Sequence, residues 1–526
     1  MCCAAFALGF AVAGCTGAPV ADGGAAGSGE ADLPGVLAFD DGNGVEAALP
    51  DTLRLALAQP DTVTPAEVAL LDQSAVITAD LLYDGLTEAV GTDGELRPAL
   101  ATRWWPNAAL DRWTFEIDTE RVALEVVVDH IESILTGGSA QAPSTRQLFA
   151  GVTAVEAVET DDGAPAVAFV LDGPDAGFPW LMSGLGASIV GPEGAPTGWY
   201  DPTGPLAADV GPDTDDEADP AGGTSADGGA GDDDRILVLD AVDGATGLVP
   251  QQIEIHWADS TEDAYDTLTL GLVDGAVVPA AEMADAEQRF GHVPSARSAT
   301  VFYVVATGGP DDDADAAVRR AIIATADPDA LAIGLGPLGV MAGEGLVSPA
   351  SAGASAFPVD PLPAPSGIGP DAPPRLDVTY IDPAHAELAD AIAAGLADLG
   401  IQPAVRSVDT EEQVGLIAEG RPGLFAFGWV PAAGSIDAVI PALLGSGSSS
   451  NVLGYASPEI DALLAEGATT VDDERRWALY AEAHQLAMGE ARAVPVGAAT
   501  NRLVVAPHLS ALALRADGSI DVHGGE

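Results

Sequence analysis

The sequence predicts an α/β fold, and three observations carry that prediction. Short runs alternate apolar and polar residues at the strand period, as in Leu53-Arg54-Leu55-Ala56-Leu57 and Trp113-Thr114-Phe115-Glu116-Ile117. Other segments carry apolar residues at helical spacing, most clearly Leu388, Ile392, Leu396 and Leu399. Apolar residues make up 48% of the 526 residues, which is ample for a sizeable core in a unit of two or three domains. Strands alternating with helices argue for largely parallel sheets.

The elements follow in order. The strand at Leu53–Leu57 precedes an apolar, helix-like stretch from Ser74 to Leu86. After the strand at Trp113–Ile117, the segment Val122 to Leu135 mixes apolar and acidic residues at helical period. Strands recur at Val152–Val158, Ala166–Leu171, Ile236–Leu239 and Ile253–Trp257. In the C-terminal half, Leu376–Ile381 reads as a strand. Asp382-Pro383 then offers an N-cap with proline at the first helical position, and Gly400 closes that helix. Strands follow at Ile401–Val405 and Leu424–Trp429. Ser457-Pro458 caps a helix through Leu464, and Asp472–Met488 is longer, with Trp477, Ala481, His484 and Met488 along one side.

Charge is the first oddity. The chain has 81 acidic residues against 19 arginines and no lysine, a formal net charge of −62. The low-complexity run Asp209–Asp234 holds ten acids and no base, and reads as a solvated loop. Outside it, 71 acids still face 19 arginines. A surface so acidic repels nucleic acid and anionic lipid, so neither is expected as a ligand of the folded body. Two readings of the excess stay open: solvated faces that aid solubility, or a host living at high salt, where counter-ions screen the carboxylates.

The N-terminus reads as an address. Met1–Gly14 is almost wholly apolar, too short to span a bilayer but suited to the apolar region of a signal peptide. It ends in Val12-Ala13-Gly14-Cys15, similar to a bacterial lipobox, which makes Cys15 the expected lipidation site and residues 1–15 the signal segment. Residues 16–50 read as a flexible tether. No arginine or lysine precedes the apolar run, so either translation starts further upstream or the signal is unusual. The other two cysteines are Cys2 and Cys3, so the fold has neither a disulfide framework nor a thiolate metal site.

Catalytic signatures are missing. There is no Gly-x-Ser-x-Gly elbow, no phosphate loop ending in lysine, and no His-Glu-x-x-His among the seven scattered histidines. Asp213, Asp215 and Asp219 have calcium-like spacing, but lack the glycine turn and closing glutamate of a calcium loop. An enzyme is not expected, nor any cofactor or bound metal.

A set of short motifs then points to a family. Leu82-Tyr83-Asp84-Gly85-Leu86, Leu96-Arg97-Pro98-Ala99-Leu100-Ala101 with Trp104 or Trp105, Trp113-Thr114-Phe115 and Thr203-Gly204-Pro205 occur in the first half. Leu270–Asp274, Val318–Ile322 with Asp327, Gly428-Trp429 and Gly454–Asp461 follow. In this order, from about Thr52 to about Asp521, they resemble the family 5 extracellular solute-binding proteins of peptide and nickel importers. The resemblance implies a two-lobed periplasmic-binding-protein-like fold (type II) with an elaborated first lobe. Lobe I is expected over 51–294, containing the acidic insertion 209–234, lobe II over 295–498, and a return to lobe I over 499–526. It implies an extracytoplasmic, lipid-anchored protein that binds a peptide-like or other small polar solute between its lobes and partners the permease subunits of an ABC importer. A degenerate version of the fold acting as a receptor or interaction module is the alternative.

Two departures stand out. Ile117–Ile131 is shorter than the family's segment and lacks its glycine turn, so the first-lobe subdomain is expected to be trimmed. After Gly428-Trp429, Ala432 stands where the family's peptide binders have an aspartate for the peptide ammonium, which argues against an ordinary free-amino peptide; Asp437, five residues on, is the available substitute. The resemblance makes Trp429 a candidate ligand contact, equally readable as a core residue. Asn451 is a candidate polar contact or a turn residue. Tyr83 and Trp180 are weaker candidates, readable also as packing. The chain is expected to cross between lobes at about 291–298 and 496–502, where closure would hinge.

Overall fold

The computed structural model describes residues 50–526, apart from 69–71, 91–94, 138–140, 204–234, 243–249, 280–281, 291–292, 294, 308–340, 343–344, 358–374, 382–385, 399, 420–422, 430, 449, 452, 491, 507–508, 510–511 and 523–526. The expected signal segment, lipobox and tether, the acidic insertion, the Val318–Ile322 motif and the Asp382-Pro383 cap all lie outside the described residues.

The first half holds β1 (Thr52–Ala58), α1 (Gln73–Leu82) and a hairpin of β2 (Thr87–Val90) and β3 (Glu95–Pro98). Then come β4 (Ala101–Pro106), β5 (Arg112–Ile117), α2 (Leu124–Gly137), α3 (Pro143–Leu148), β6 (Val152–Glu159), β7 (Pro165–Leu171) and the short α4 (Phe178–Leu181). It continues with β8 (Tyr200–Thr203), β9 (Ile236–Ala241), β10 (Gln252–Ala258), α5 (Thr261–Thr269), β11 (Gly275–Val277) and α6 (Met283–Phe290). The long β12 (Ser295–Thr307) leads into the second half. There lie β13 (Met341–Ala342), β14 (Arg375–Ile381), α7 (Ala386–Asp398), β15 (Gln402–Val408), α8 (Thr410–Ala418) and β16 (Gly423–Trp429). After α9 (Ile436–Leu444), α10 (Pro458–Ala468) and α11 (Asp473–Glu490), the long β17 (Ala493–Val505) leads back to the hairpin of β18 (Ala513–Leu514) and β19 (Ile520–Asp521).

One sheet runs through both halves in the order β15-β14-β16-β12-β17-β11-β1-β10-β9-β8, with β13 beside β17. Among the described residues it passes between lobes only at β12 and β17. At one end, Ser295 to Arg297 pair with Thr500 to Arg502. Beyond a register shift, Val301 to Val305 pair with Ala493 to Ala498 and with β16. Such a shift leaves part of a strand unpaired and bends it. The prediction of largely parallel sheets needs correcting. Among the described strands, only the β1–β10, β1–β11, β14–β15 and β14–β16 pairings are parallel. The two lobe-crossing strands run antiparallel because the chain goes out along one and returns along the other.

Each lobe has its own core. On one face of the first-lobe sheet, Leu53, Leu55 and Leu57 of β1 meet Ile253 and Ile255 of β10 and the apolar side of α1. In the second lobe, Val301, Tyr303 and Val305 of β12 meet Ile436, Val439 and Ile440 of α9 and Tyr480 of α11. Each fully buried Leu, Ile or Val stabilises by roughly 1.5–3 kcal/mol. The helix ends obey capping rules. Asp72 accepts from the Ala75 amide, Asp409 from the Glu412 amide and Ser457 from the Ile460 amide, and Gly400 turns the chain after α7 at φ +77°.

The first-lobe subdomain is a four-stranded antiparallel sheet, β4-β5-β7-β6, covered by α2 and α3. It does not stand clear of the second lobe. Its core cluster, built on Phe115, Phe169 and Phe178, also takes in Ala432, Ala433 and Ala438 from beyond β16. The contact is close enough that glycine is required on the subdomain side: a Cβ on Gly184 would lie 2.3 Å from the Ala432 carbonyl oxygen.

Candidate interlobe cleft

Between the lobes lies a cavity of about 560 Å³. Its first-lobe wall is formed by the end of α1, the start of β2, the Ser183–Ser188 segment, Trp199 and the β18–β19 hairpin. Its second-lobe wall is Pro349, Ala350, Ala352 and Gly434, and Arg297 of β12 lies where the two meet. Ala352 is fixed to the loop after β16 by its amide, which donates to the Gly434 carbonyl at 2.7 Å, and by its carbonyl, which accepts from the Ile436 amide at 3.0 Å.

The first-lobe wall is ordered by charge. Arg121 ion-pairs with Asp84, donates to the Thr197 carbonyl at 3.2 Å and lies over the Trp199 ring at 3.7 Å from its centroid. A desolvated guanidinium on a tryptophan face adds a cation–π attraction to the ion pair, so this wall is held from outside the cavity. Deeper in, Arg515 of the C-terminal hairpin pairs with Glu88 at 2.6 Å, with Asp80 at 3.6 Å and with Asp521 at 3.8 Å. Asp517 stands beside them and accepts from the Ser519 amide and hydroxyl. Asp80 is 24% exposed and Arg515 18%. Burial, with Asp517, Glu88 and Asp84 as like-charged neighbours, pushes the Asp80 carboxyl up to about 8 against the pull of Arg515.

The residues that the sequence singled out fall into two groups. Tyr83 lines the cavity, with its hydroxyl donating to the Gly194 carbonyl at 3.1 Å. The others do not line it. Trp429 packs in the second-lobe core with Ile436 and Val439. Asn451 closes its own loop, donating to the Gly445 and Tyr455 carbonyls and accepting from the Tyr455 amide. Trp180 is buried at the subdomain seam against Trp477, ring centroids 5.7 Å apart. Cys15 lies outside the described residues.

Asp437 needs a correction on physical grounds. It is not free to hold a ligand's ammonium. Its side chain is 2% exposed and faces Arg476, whose side chain is 0% exposed. Its oxygens accept from Arg476 Nε at 2.6 Å, Arg476 Nη2 at 3.2 Å, Trp477 Nε1 at 2.9 Å and Ser435 Oγ at 3.0 Å. A carboxylate so fully hydrogen-bonded to a buried guanidinium is part of the packing.

The subdomain, expected to be trimmed, has four strands and two helices among the described residues. His484, on the helix face predicted for it, accepts from the Leu346 amide at 2.9 Å through Nε2, and burial pushes it down to about 4, so it is a neutral packing residue. No group of three or more possible metal ligands occurs among the described residues, nor does a helix long and apolar enough to cross a membrane.

No family model matches the chain, and no curated protein matches it. Solved structures do. The periplasmic murein tripeptide binding protein MppA in its unliganded open form matches with a TM-score of 0.68 at 18% identity, over 88% of this chain and 94% of that one. The ABC transporter-associated periplasmic binding protein DppA from Helicobacter pylori, in complex with the peptide STSA, matches with 0.62 at 15% identity, over 91% and 98%. A substrate binding protein from Microbacterium hydrocarbonoxydans, complexed with 4-hydroxybenzoate hydrazide, matches with 0.62 at 20% identity, over 90% and 99%. This chain therefore has the α/β fold of the periplasmic peptide-binding proteins, along nearly its whole described length.

Proposed function

We propose that this protein is the extracytoplasmic solute-binding component of an ABC importer, of the family 5 type, and binds its solute without catalysis. The carrying observation is the cavity of about 560 Å³ between two lobes whose shared sheet, among the described residues, passes from one to the other only at β12 and β17. A cleft lined by a few fixed polar groups, in a body bent at two strands, suits capture of a small solute with closure. The open cavity favours uptake over the interaction-module alternative, which calls for a filled or collapsed cleft.

The boundaries that go with this reading are lobe I at 51–294 with return at 499–526, and lobe II at 295–498. The hinge lies at the register shift between Arg297 and Val301 and at the facing part of β17. In this reading Cys15 is lipidated and holds the protein to the outer face of the membrane beside its permease. Tyr83 remains a cleft residue.

Extraction of the natively purified protein, with mass spectrometry of released small molecules, tests the binding reading. A stoichiometric solute, and a smaller radius of gyration with it bound, are expected. No solute and no closure with any candidate would overturn it. For the anchor, membrane association lost in Cys15→Ala is the expected result.

A further inference from the structure

The charge of the cleft carries a statement about its solute, resting on the solute-binding reading just given. In a chain this acidic, carboxylates as such discriminate nothing. Those of the cleft differ from the surface ones in two ways. They gather around Arg515, partly buried except for the exposed Asp517, and among the described residues they line the cavity on one side only. Glu88, Asp521 and Asp517 crowd Arg515 as carboxylates, with the protonated Asp80 beside them. Asp84, the fifth acid of the cavity wall, is paired with Arg121. Among the described residues, the second-lobe wall of Pro349, Ala350, Ala352 and Gly434 brings no side-chain charge. Arg297, the other guanidinium on the wall, stands apart on β12, with no carboxylate paired to it among the described residues.

We propose that the solute carries a cationic group, an amine or a guanidinium, which seats against the carboxylates around Arg515. A partly buried cluster in which Arg515 meets three carboxylates and a protonated Asp80 is under mutual repulsion, and a second cation relieves it more strongly than in bulk water because the local dielectric is lower. The arrangement is also polar along its length. A cation is attracted to the Arg515 end and repelled at the Arg297 end, so a dipolar solute would lie with its anionic end toward Arg297. Because burial and its acidic neighbours hold Asp80 protonated near neutrality, seating a cation there displaces that proton.

The test is calorimetry on the full chain, freed of co-purified solute, with three sets of probes. These are cationic (arginine, spermidine, acetyl-Gly-Arg-Gly-amide), neutral and free of any ammonium (acetyl-citrulline-amide, maltose, acetyl-Gly-citrulline-Gly-amide) and anionic (succinate, acetyl-Gly-Glu-Gly-amide). Binding confined to the cationic set is expected, at least tenfold weaker in Asp521→Asn and in Asp80→Asn, two variants that separate loss of charge from a change in the hairpin. Heats that differ between phosphate and Tris buffers near pH 7, and no longer differ in Asp80→Asn, are the proton signature. A neutral or anionic probe that binds as tightly as the best cation would overturn the assignment, as would undiminished cation affinity in both variants. No binding in any set, together with no co-purified solute, overturns the solute-binding reading itself, and the charge assignment falls with it.

Discussion

Two clusters of acid and arginine, one at the seam between the subdomain and the second lobe and one in the cleft, are built to different ends. At the seam, Asp437 and Arg476 are buried, closely matched and surrounded by further donors and acceptors, with Trp477 on the carboxylate and the Thr470 carbonyl on the guanidinium. In the cleft, Arg515 lies 2.6 Å from Glu88 with Asp521, Asp517 and the protonated Asp80 around it, and part of the cluster meets solvent. A buried pair costs desolvation and holds its place only where every partner is present. An overcrowded, half-exposed cluster leaves a charge that a ligand can answer. Completeness separates the charges that hold this fold together from those that can recognise something, and the number of acids does not.

The largest expected effect tests the seam. Asp437→Ala leaves the Arg476 guanidinium buried without its main partner and should destabilise by about 3–5 kcal/mol, read from urea denaturation. If the pair instead serves recognition, stability should hardly change and cleft binding should fall. Trp180→Phe should cost less, about 1–2 kcal/mol, through lost area and the edge contact with Trp477. Its effect should vanish in a Trp477→Ala background, since the two rings then no longer meet.

Asp80→Asn should have the opposite sign. Its carboxyl is raised to about 8 in the folded state, above its ordinary value of 3.8, so the folded protein holds the proton more tightly than the unfolded chain. The resulting instability is absent below about pH 4, grows as pH rises and is complete above about pH 8. The variant should therefore be more stable than the parent by about 1–3 kcal/mol at pH 8.5 and nearly equal to it at pH 4, read from melting curves across that range. A gain that does not depend on pH would mean that the cluster is not under charge strain. The smallest effect per site concerns the surface. With 71 acids outside the low-complexity run against 19 arginines, melting temperature should rise with NaCl up to molar concentrations, and a flat profile would remove the high-salt reading.

Much of the fold was legible in the chain because local rules sufficed. The strand runs at 53–57, 113–117 and 424–429 and the helix ending at Gly400 appear in the structure where periodicity places them. The long crossing strands were not read as strands, since Ser295–Thr307 shows no clean alternation: it is buried on both faces along its second-lobe part and changes partners midway.

The motifs behind the family resemblance mostly mark structural clamps. Asp274 receives a bidentate pair from Arg54, Asp84 pairs with Arg121, and Asp461 accepts the Ser446 amide and hydroxyl. They announce the fold because they hold it, and for the same reason they are poor guides to the ligand. Hence Trp429 and Asp437, chosen beside a motif, turn out packed, while Glu88, Arg515 and Asp517, in no motif, line the cavity.

By itself the sequence determined the α/β class, the order of most strands and helices, the acidic surface and the absence of catalytic motifs, because each follows from residue spacing or from counts. Only the tertiary structure decided which charges are paired. That depends on residues far apart in sequence: Arg515 with Asp80 and Glu88, Asp437 with Arg476. Whether a carboxylate is a strut or a binding group is fixed by how many partners surround it and how much water remains, and neither quantity exists until the chain has folded.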